Sequence, residues 1–165
     1  MKTQSKTILA TKTLLAPISK IGVWIIGVSW LIGAISAPPA MGATITYTGA
    51  AAGNFSSNWL VSTNWNPAKV PTEADDVIVG LGAVVLPPTP AFASLTLNGG
   101  KISGQFVSRG IIHWVSGTIG GQITIAAGGA LELSGPDQKN LEEATINNAG
   151  TIRWDGSGGL QSSTA

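Results

Sequence analysis

The sequence predicts an all-β chain wound as a right-handed parallel β-helix, or solenoid, with an N-terminal cap. Three observations carry this expectation. The first is composition: 22 glycines in 165 residues, with abundant Ala, Ser, Thr, Ile and Leu, suit short strands and tight turns better than long helices. The second is rhythm, because short apolar runs alternate with Asn-Gly-Gly, Gly-Gly, Ser-Gly and Asn-Asn-Ala-Gly, most densely in residues 111–135, IIHWVSGTIGGQITIAAGGALELSG. The third is approximate repetition: Gly117-Thr118-Ile119 returns as Gly150-Thr151-Ile152, and Ile123-Thr124-Ile125 echoes Leu95-Thr96-Leu97. A degenerate period with one short strand and one small-residue turn per corner is what a solenoid needs, since each rung hides its inward Ile, Leu and Val against the next. An antiparallel β-sandwich is the alternative. Hairpin strands, however, are usually longer and their turns more often a single Asn-Gly or Asp-Gly pair.

Taken in order, residues 1–43 have the layout of a signal peptide. A Lys- and Thr-rich start without acids leads into a charge-free run, residues 21–37 (IGVWIIGVSWLIGAISA), and then into Pro38-Pro39-Ala40-Met41-Gly42-Ala43. Cleavage is expected near Gly42 or Ala43. The competing reading is a membrane anchor formed by uncleaved residues 21–37, which approach the roughly 20 residues that span a bilayer. The run is at the short end for a span and lacks a positive stop-transfer flank, which favours cleavage.

Residues 44–93 read as an N-terminal strand and cap segment. TITYT (44–48) alternates as a strand; an Asn-, Ser- and Trp-containing stretch follows; residues 71–76 form a turn; strands are expected at 77–79 and 83–86; and Pro87, Pro88 and Pro90 interrupt any regular ladder. Residues 94–165 read as solenoid rungs. Strands are expected at 94–97, 101–103, 105–107, 111–115, 118–119, 122–125, 130–133, 144–146 and 151–154, and one helical turn at 136–143, PDQKNLEE. The terminal stretch 156–165 carries neither a capping element nor an anchor. The expectation is therefore a fragment of a longer chain, truncated at its C-terminus, or a subunit completed by a partner.

Charge and cysteine count narrow the function classes. Four of the nine basic residues, Lys2, Lys6, Lys12 and Lys20, lie in the leader, so residues 44–165 carry five bases against eight acids. No basic patch for nucleic acid is left, and contact with a membrane is expected only through export or anchoring. With no cysteine there is no disulfide framework, thiolate nucleophile or Cys-ligated metal. No cofactor is expected.

Two segments resemble a known group. NWLVSTNWNPAKVPTEADDVIV (58–79) is similar to the Trp…Asn-Trp…Val-Pro…Asp-Asp-Val-x-Ile opening of repetitive bacterial exported surface proteins of the filamentous-haemagglutinin and autotransporter-adhesin kind. Residues 94–159 resemble their passenger repeats in Ser-Leu-Thr-Leu-Asn-Gly-Gly, Ile-Ala-Ala-Gly-Gly-x-Leu-x-Leu-Ser-Gly and Ile-Asn-Asn-Ala-Gly-Thr-Ile-x-Trp. The resemblance implies a secreted or cell-surface β-helical module that acts structurally or in adhesion, without catalysis. Its partners would be extracellular polysaccharide or molecules of a host or cell surface. The alternative is a β-helical carbohydrate-active enzyme or carbohydrate-binding module.

Candidate ligand-binding residues for that alternative are Trp59, Trp65, Asp75, Asp76 and His113. The indoles could stack on sugar rings, although covering the open end of the first rung is the competing role. Asp75 and Asp76 could serve as paired carboxylates, but adjacent strand residues point to opposite faces, and a solvated turn accounts for them more simply. No repeating Asp/Gly ligand pattern points to calcium, so no metal is expected. His113, the sole histidine, is expected on the outside of its rung by alternation, and no catalytic residue is assigned. Arg109 with Lys101 could form part of a basic groove, which two isolated cations do not establish.

Overall fold

A strand with Ile, Leu or Val at every second position hides its apolar face only against other strands of the same pattern. This chain meets that demand by stacking on itself. The computed structural model describes residues 42–49 and 57–163. Eleven strands form one sheet: β1 (Thr44–Tyr47), β2 (Trp65–Asn66), β3 (Asp76–Val79), β4 (Ala83–Val85), β5 (Ser94–Ser103), β6 (Gln105–Ser108), β7 (Ile111–Ile125), β8 (Ala130–Leu133), β9 (Lys139–Asn148), β10 (Thr151–Trp154) and β11 (Leu160–Ser163). β1 pairs antiparallel with β2, and the other strand pairings are parallel. The arrangement is a β-solenoid of about 5 turns, and the parallel registers rule out the antiparallel sandwich.

The second, third and fourth coils have three strand segments each; the first has two, β3 and β4, before a proline-containing stretch without strand. In the second coil β5 supplies two and β6 the third; in the third coil β7 runs through all three. Equivalent positions on the first face are Asp76, Ser94, Ile111, Ala130 and Thr151, so successive coils advance by 18, 17, 19 and 21 residues. Much of that growth falls at one corner. Residues 155–159 of the fifth coil lie on residues 134–138 of the fourth, with Asp155 N donating to Leu133 O (2.9 Å) and Gly158 N to Gly135 O (3.1 Å).

The core is a set of vertical columns. Ile45, Val77, Leu95, Ile112 and Leu131 stack on the first face, each no more than 1% exposed. Beside them run Val79, Leu97, Trp114 and Leu133; the second face contributes Val84, Ile102 and Ile119, and the third Phe106 and Ile123. Burying one such side chain contributes about 1.5–3 kcal/mol. The columns end on Ile152 and Trp154, which are 44% and 48% exposed because among the described residues no coil lies above them.

Tight corners require glycine. Gly117 has φ +96°, and a Cβ placed there would lie 2.3 Å from Gly100 O of the coil below. In the fourth coil the same register position is Lys139, which the wider corner accommodates.

Three expectations need correction. Residues 136–143 form no helical turn: β9 starts at Lys139, because pairing with β7 and β11 outweighs the helix preference of Lys, Leu and Glu. The terminal stretch also contributes a strand, β11, parallel to β9. Residues 65–66, in a stretch read as irregular, form β2 against β1, after a 3-10 turn at Ser62–Asn64; the runs 111–115, 118–119 and 122–125 join into β7. Among the described residues no helix is long and apolar enough to cross a membrane. Of the leader expected in residues 1–43, residues 1–41 lie outside the described residues, and with them the whole of the anchor alternative, residues 21–37.

Candidate functional site

The outer faces repeat polar positions in register. Lys101, Thr118, Asn140 and Gln161 form one outward column on the second face, and Gln105, Gln122 and Thr145 one on the third. On the first face the outward column is Thr46, Ile78, Thr96, His113, Glu132 and Arg153. His113 is outward, as alternation predicts, with Nδ1 3.0 Å from Glu132 Oε2 and the two side chains 38% and 36% exposed. Arg153 turns to Asp155 instead, Nε to Oδ2 2.5 Å.

Asp75 and Asp76 diverge. Asp76 is exposed and accepts from Ser94 Oγ at 2.5 Å. Asp75 is 1% exposed, so the turn it closes is not solvated at this residue, contrary to expectation. Its Oδ1 accepts from Ala43 N (3.0 Å) and Lys69 Nζ (3.0 Å), and its Oδ2 from Thr72 N (2.7 Å) and Thr72 Oγ1 (2.6 Å). Burial alone would raise the pKa, but hydrogen bonds from the Thr72 hydroxyl, Lys69, Ala43 N and Thr72 N hold it well below the usual carboxylate range. Asp75 thereby ties the residue before β1 to the turn before β3.

Trp59 and Trp65 are 1% and 2% exposed. Their rings meet edge-on at 4.8 Å, Tyr47 lies 5.3 Å from Trp65 and Phe92 6.1 Å from Trp59, and Trp65 Nε1 donates to Trp59 O at 2.8 Å. Neither ring face is open to a sugar. The buried indoles, the buried Asp75, the exposed Asp76 and the outward His113 are thus not gathered into one site.

A cleft of about 470 Å³ opens where the third face turns back to the first, lined among others by Glu73, Phe92, Val107 and Arg109. Arg109 is exposed and makes no ion pair among the described residues. Lys101 is not beside it, being paired with Glu142 on the second face. Nothing local in the sequence links Glu73 to Arg109; the stacking of coils joins them. Among the described residues no group of three or more His, Asp or Glu side chains is placed to hold a metal ion.

Fold and surface together define the class: a β-solenoid with polar outer ladders. Comparison with family models, with curated proteins and with solved structures returned no match.

Proposed function

We propose that the chain is an exported, non-catalytic β-solenoid that serves as a structural or adhesion module at the cell surface or in the medium. The observation that carries this reading is the in-register repetition of polar side chains on the outer faces, as in Lys101–Thr118–Asn140–Gln161. Strands in such a sheet are about 4.8 Å apart, so a ligand with repeating donors and acceptors meets several shallow contacts at once, and avidity replaces a deep pocket. The signal-peptide layout of residues 1–43 and the resemblance to exported passenger repeats supply the compartment. Expression of the full chain in a bacterial host, followed by fractionation and protease shaving, tests it: the protein is expected in the medium or at the surface, and retention in the cytosol overturns the reading.

A second reading, a carbohydrate-binding module, is favoured by the cleft beside Arg109. An exposed guanidinium with no ion-pair partner among the described residues suits a carboxylate-bearing sugar. Retention on acidic but not neutral polysaccharide, lost in Arg109→Ala, supports it; equal elution from both counts against it.

A further inference from the structure

We propose that the Gly42–Ala43 bond is the processing site of the leader and that Asp75 is the seat of the α-ammonium group this cleavage creates. The inference rests on the export reading above and adds to it a defined bond and a receptor for the new terminus.

Two independent observations meet at this bond. The sequence places Ala40 and Gly42 at the third and first positions before it, after the charge-free run 21–37 and two prolines, which matches the small-x-small rule for leader cleavage. A cut after Ala43 would put Met41 at the third position. The structure, for its part, places Ala43 N 3.0 Å from Asp75 Oδ1, while Ala43 O accepts from Asp76 N at 3.0 Å and Thr44 opens β1 in register with Asp76. Among the described residues the first hydrogen bond into the fold is therefore made by the nitrogen that cleavage would liberate. Gly42 and Ala43 are both exposed, and Gly42 runs so close to the turn before β3 that a Cβ on it would collide with Ala74 O.

The chemistry is hydrolysis by the exporting cell's leader peptidase. Water adds across the amide: its oxygen goes to the Gly42 carbonyl carbon, the C–N bond breaks, and the Ala43 nitrogen leaves as an amine that takes up a proton at neutral pH. In the precursor Asp75 receives a neutral amide N–H. In the product the same nitrogen is a cation beside a carboxylate that is 1% exposed, so a neutral hydrogen bond becomes a charge-assisted one. Lys69, its side chain 47% exposed, is the other cation on this carboxylate; Asp76 is turned to Ser94 on the outer face. Cleavage thus strengthens the tie between the start of β1 and the turn before β3, and maturation stabilises the first coil.

The test expresses the full chain in an exporting bacterial host, recovers the exported product and determines its N-terminus by mass spectrometry; Ala43 is expected. The α-amine is then labelled with acetic anhydride at neutral pH, folded and in urea. Seating by Asp75 should slow labelling of the folded product about tenfold or more, the factor that one pKa unit produces, and exported Asp75→Asn should lose that protection. A product beginning at any other residue overturns the cleavage site. An Ala43 terminus labelled equally fast folded and unfolded overturns the seat, and this comparison does not depend on Asp75→Asn folding. Full-length chain confined to the cytosol overturns the export reading itself, an outcome distinct from the other two.

Discussion

Lys101 Nζ of the second coil lies 2.8 Å from Glu142 Oε2 of the fourth, and the two side chains meet across Gly120 of the intervening coil. A Cβ on Gly120 would be tight only against Glu142 O, at 3.2 Å, and would stand in ordinary contact with Lys101 Cε, at 3.7 Å, so the Lys101 stem passes directly over this glycine. The side chains are 35% and 50% exposed, so water and salt screen the pair. A double-mutant cycle with Lys101→Met and Glu142→Gln, read by urea denaturation, should give a coupling of about 0.2–1 kcal/mol that fades in 1 M salt. A salt-independent coupling well above that range would mean the pair is not the screened contact described.

Asp75 should dominate acid sensitivity. Its native pKa lies below the unfolded value of about 3.9, so the stability it contributes is present in full well above that value and is lost as pH falls from there toward the native pKa. Wild-type midpoints should therefore be flat with respect to this group at neutral pH and fall below about pH 4. Asp75→Asn keeps the shape but loses the charge-assisted bonds to Thr72, Lys69 and Ala43, and should cost about 2 kcal/mol at pH 7 and less at pH 3. An equal cost at both pH values would remove the carboxylate from this role.

Two glycines with similar backbone angles should respond differently to alanine. Gly128 has φ +85° with nothing within 4 Å of an added Cβ, so Gly128→Ala meets only backbone strain, about 1 kcal/mol. At Gly117, φ +96°, the Cβ would also lie 2.3 Å from Gly100 O, and the coils must separate to admit it. Gly117→Ala should lower the thermal midpoint at least twice as far as Gly128→Ala. Equal shifts would show that the corner yields easily.

The column ending on Ile152 predicts a gradient of stability along the stack. Leu131 is 1% exposed and Ile152, directly in register above it, 44%. Leu131→Ala should cost about 2–5 kcal/mol, the usual range for a core truncation, and Ile152→Ala less than about half as much, since nearly half of its surface stays in water and the gap it leaves opens to solvent. Hydrogen exchange should run in the same order, with amides of β10 and β11 exchanging faster than those of β7.

How much of this was legible in the sequence follows from how far each signal reaches. Alternation is local, so the inward Leu95, Ile112 and Leu131 and the outward His113 and Glu132 could be assigned from their neighbours alone. The segment from Lys139 to Glu143 misled because its residues favour helix, while its strand form is imposed by β7 and β11. Asp75 looked like a turn residue. Of the donors that make it a buried anchor, Ala43 is brought in only by the parallel pairing of β1 with β3. The cleft between Glu73 and Arg109 and the Lys101–Glu142 pair were hidden for a related reason: coil lengths of 17 to 21 residues deny the sequence a constant register.

Lys139 offers the least intuitive test. It occupies the inward register position held by Gly117 in the coil below, is fully buried, and donates from Nζ to Asp137 O at 3.0 Å. A carbonyl compensates a buried ammonium less than a carboxylate does, so the charge is costly where the methylenes are useful. Lys139→Met retains most of the packing volume and removes the charge, and the hydrogen bond it forfeits is the one to the Asp137 carbonyl. The variant should therefore be more stable than wild type, by about 1 kcal/mol in urea midpoint terms. Lys139→Ala should lose stability through the cavity it opens under β11. A Met variant as destabilised as the Ala variant would show that the bond to Asp137, rather than the aliphatic stem, holds the wide corner of the fourth coil together.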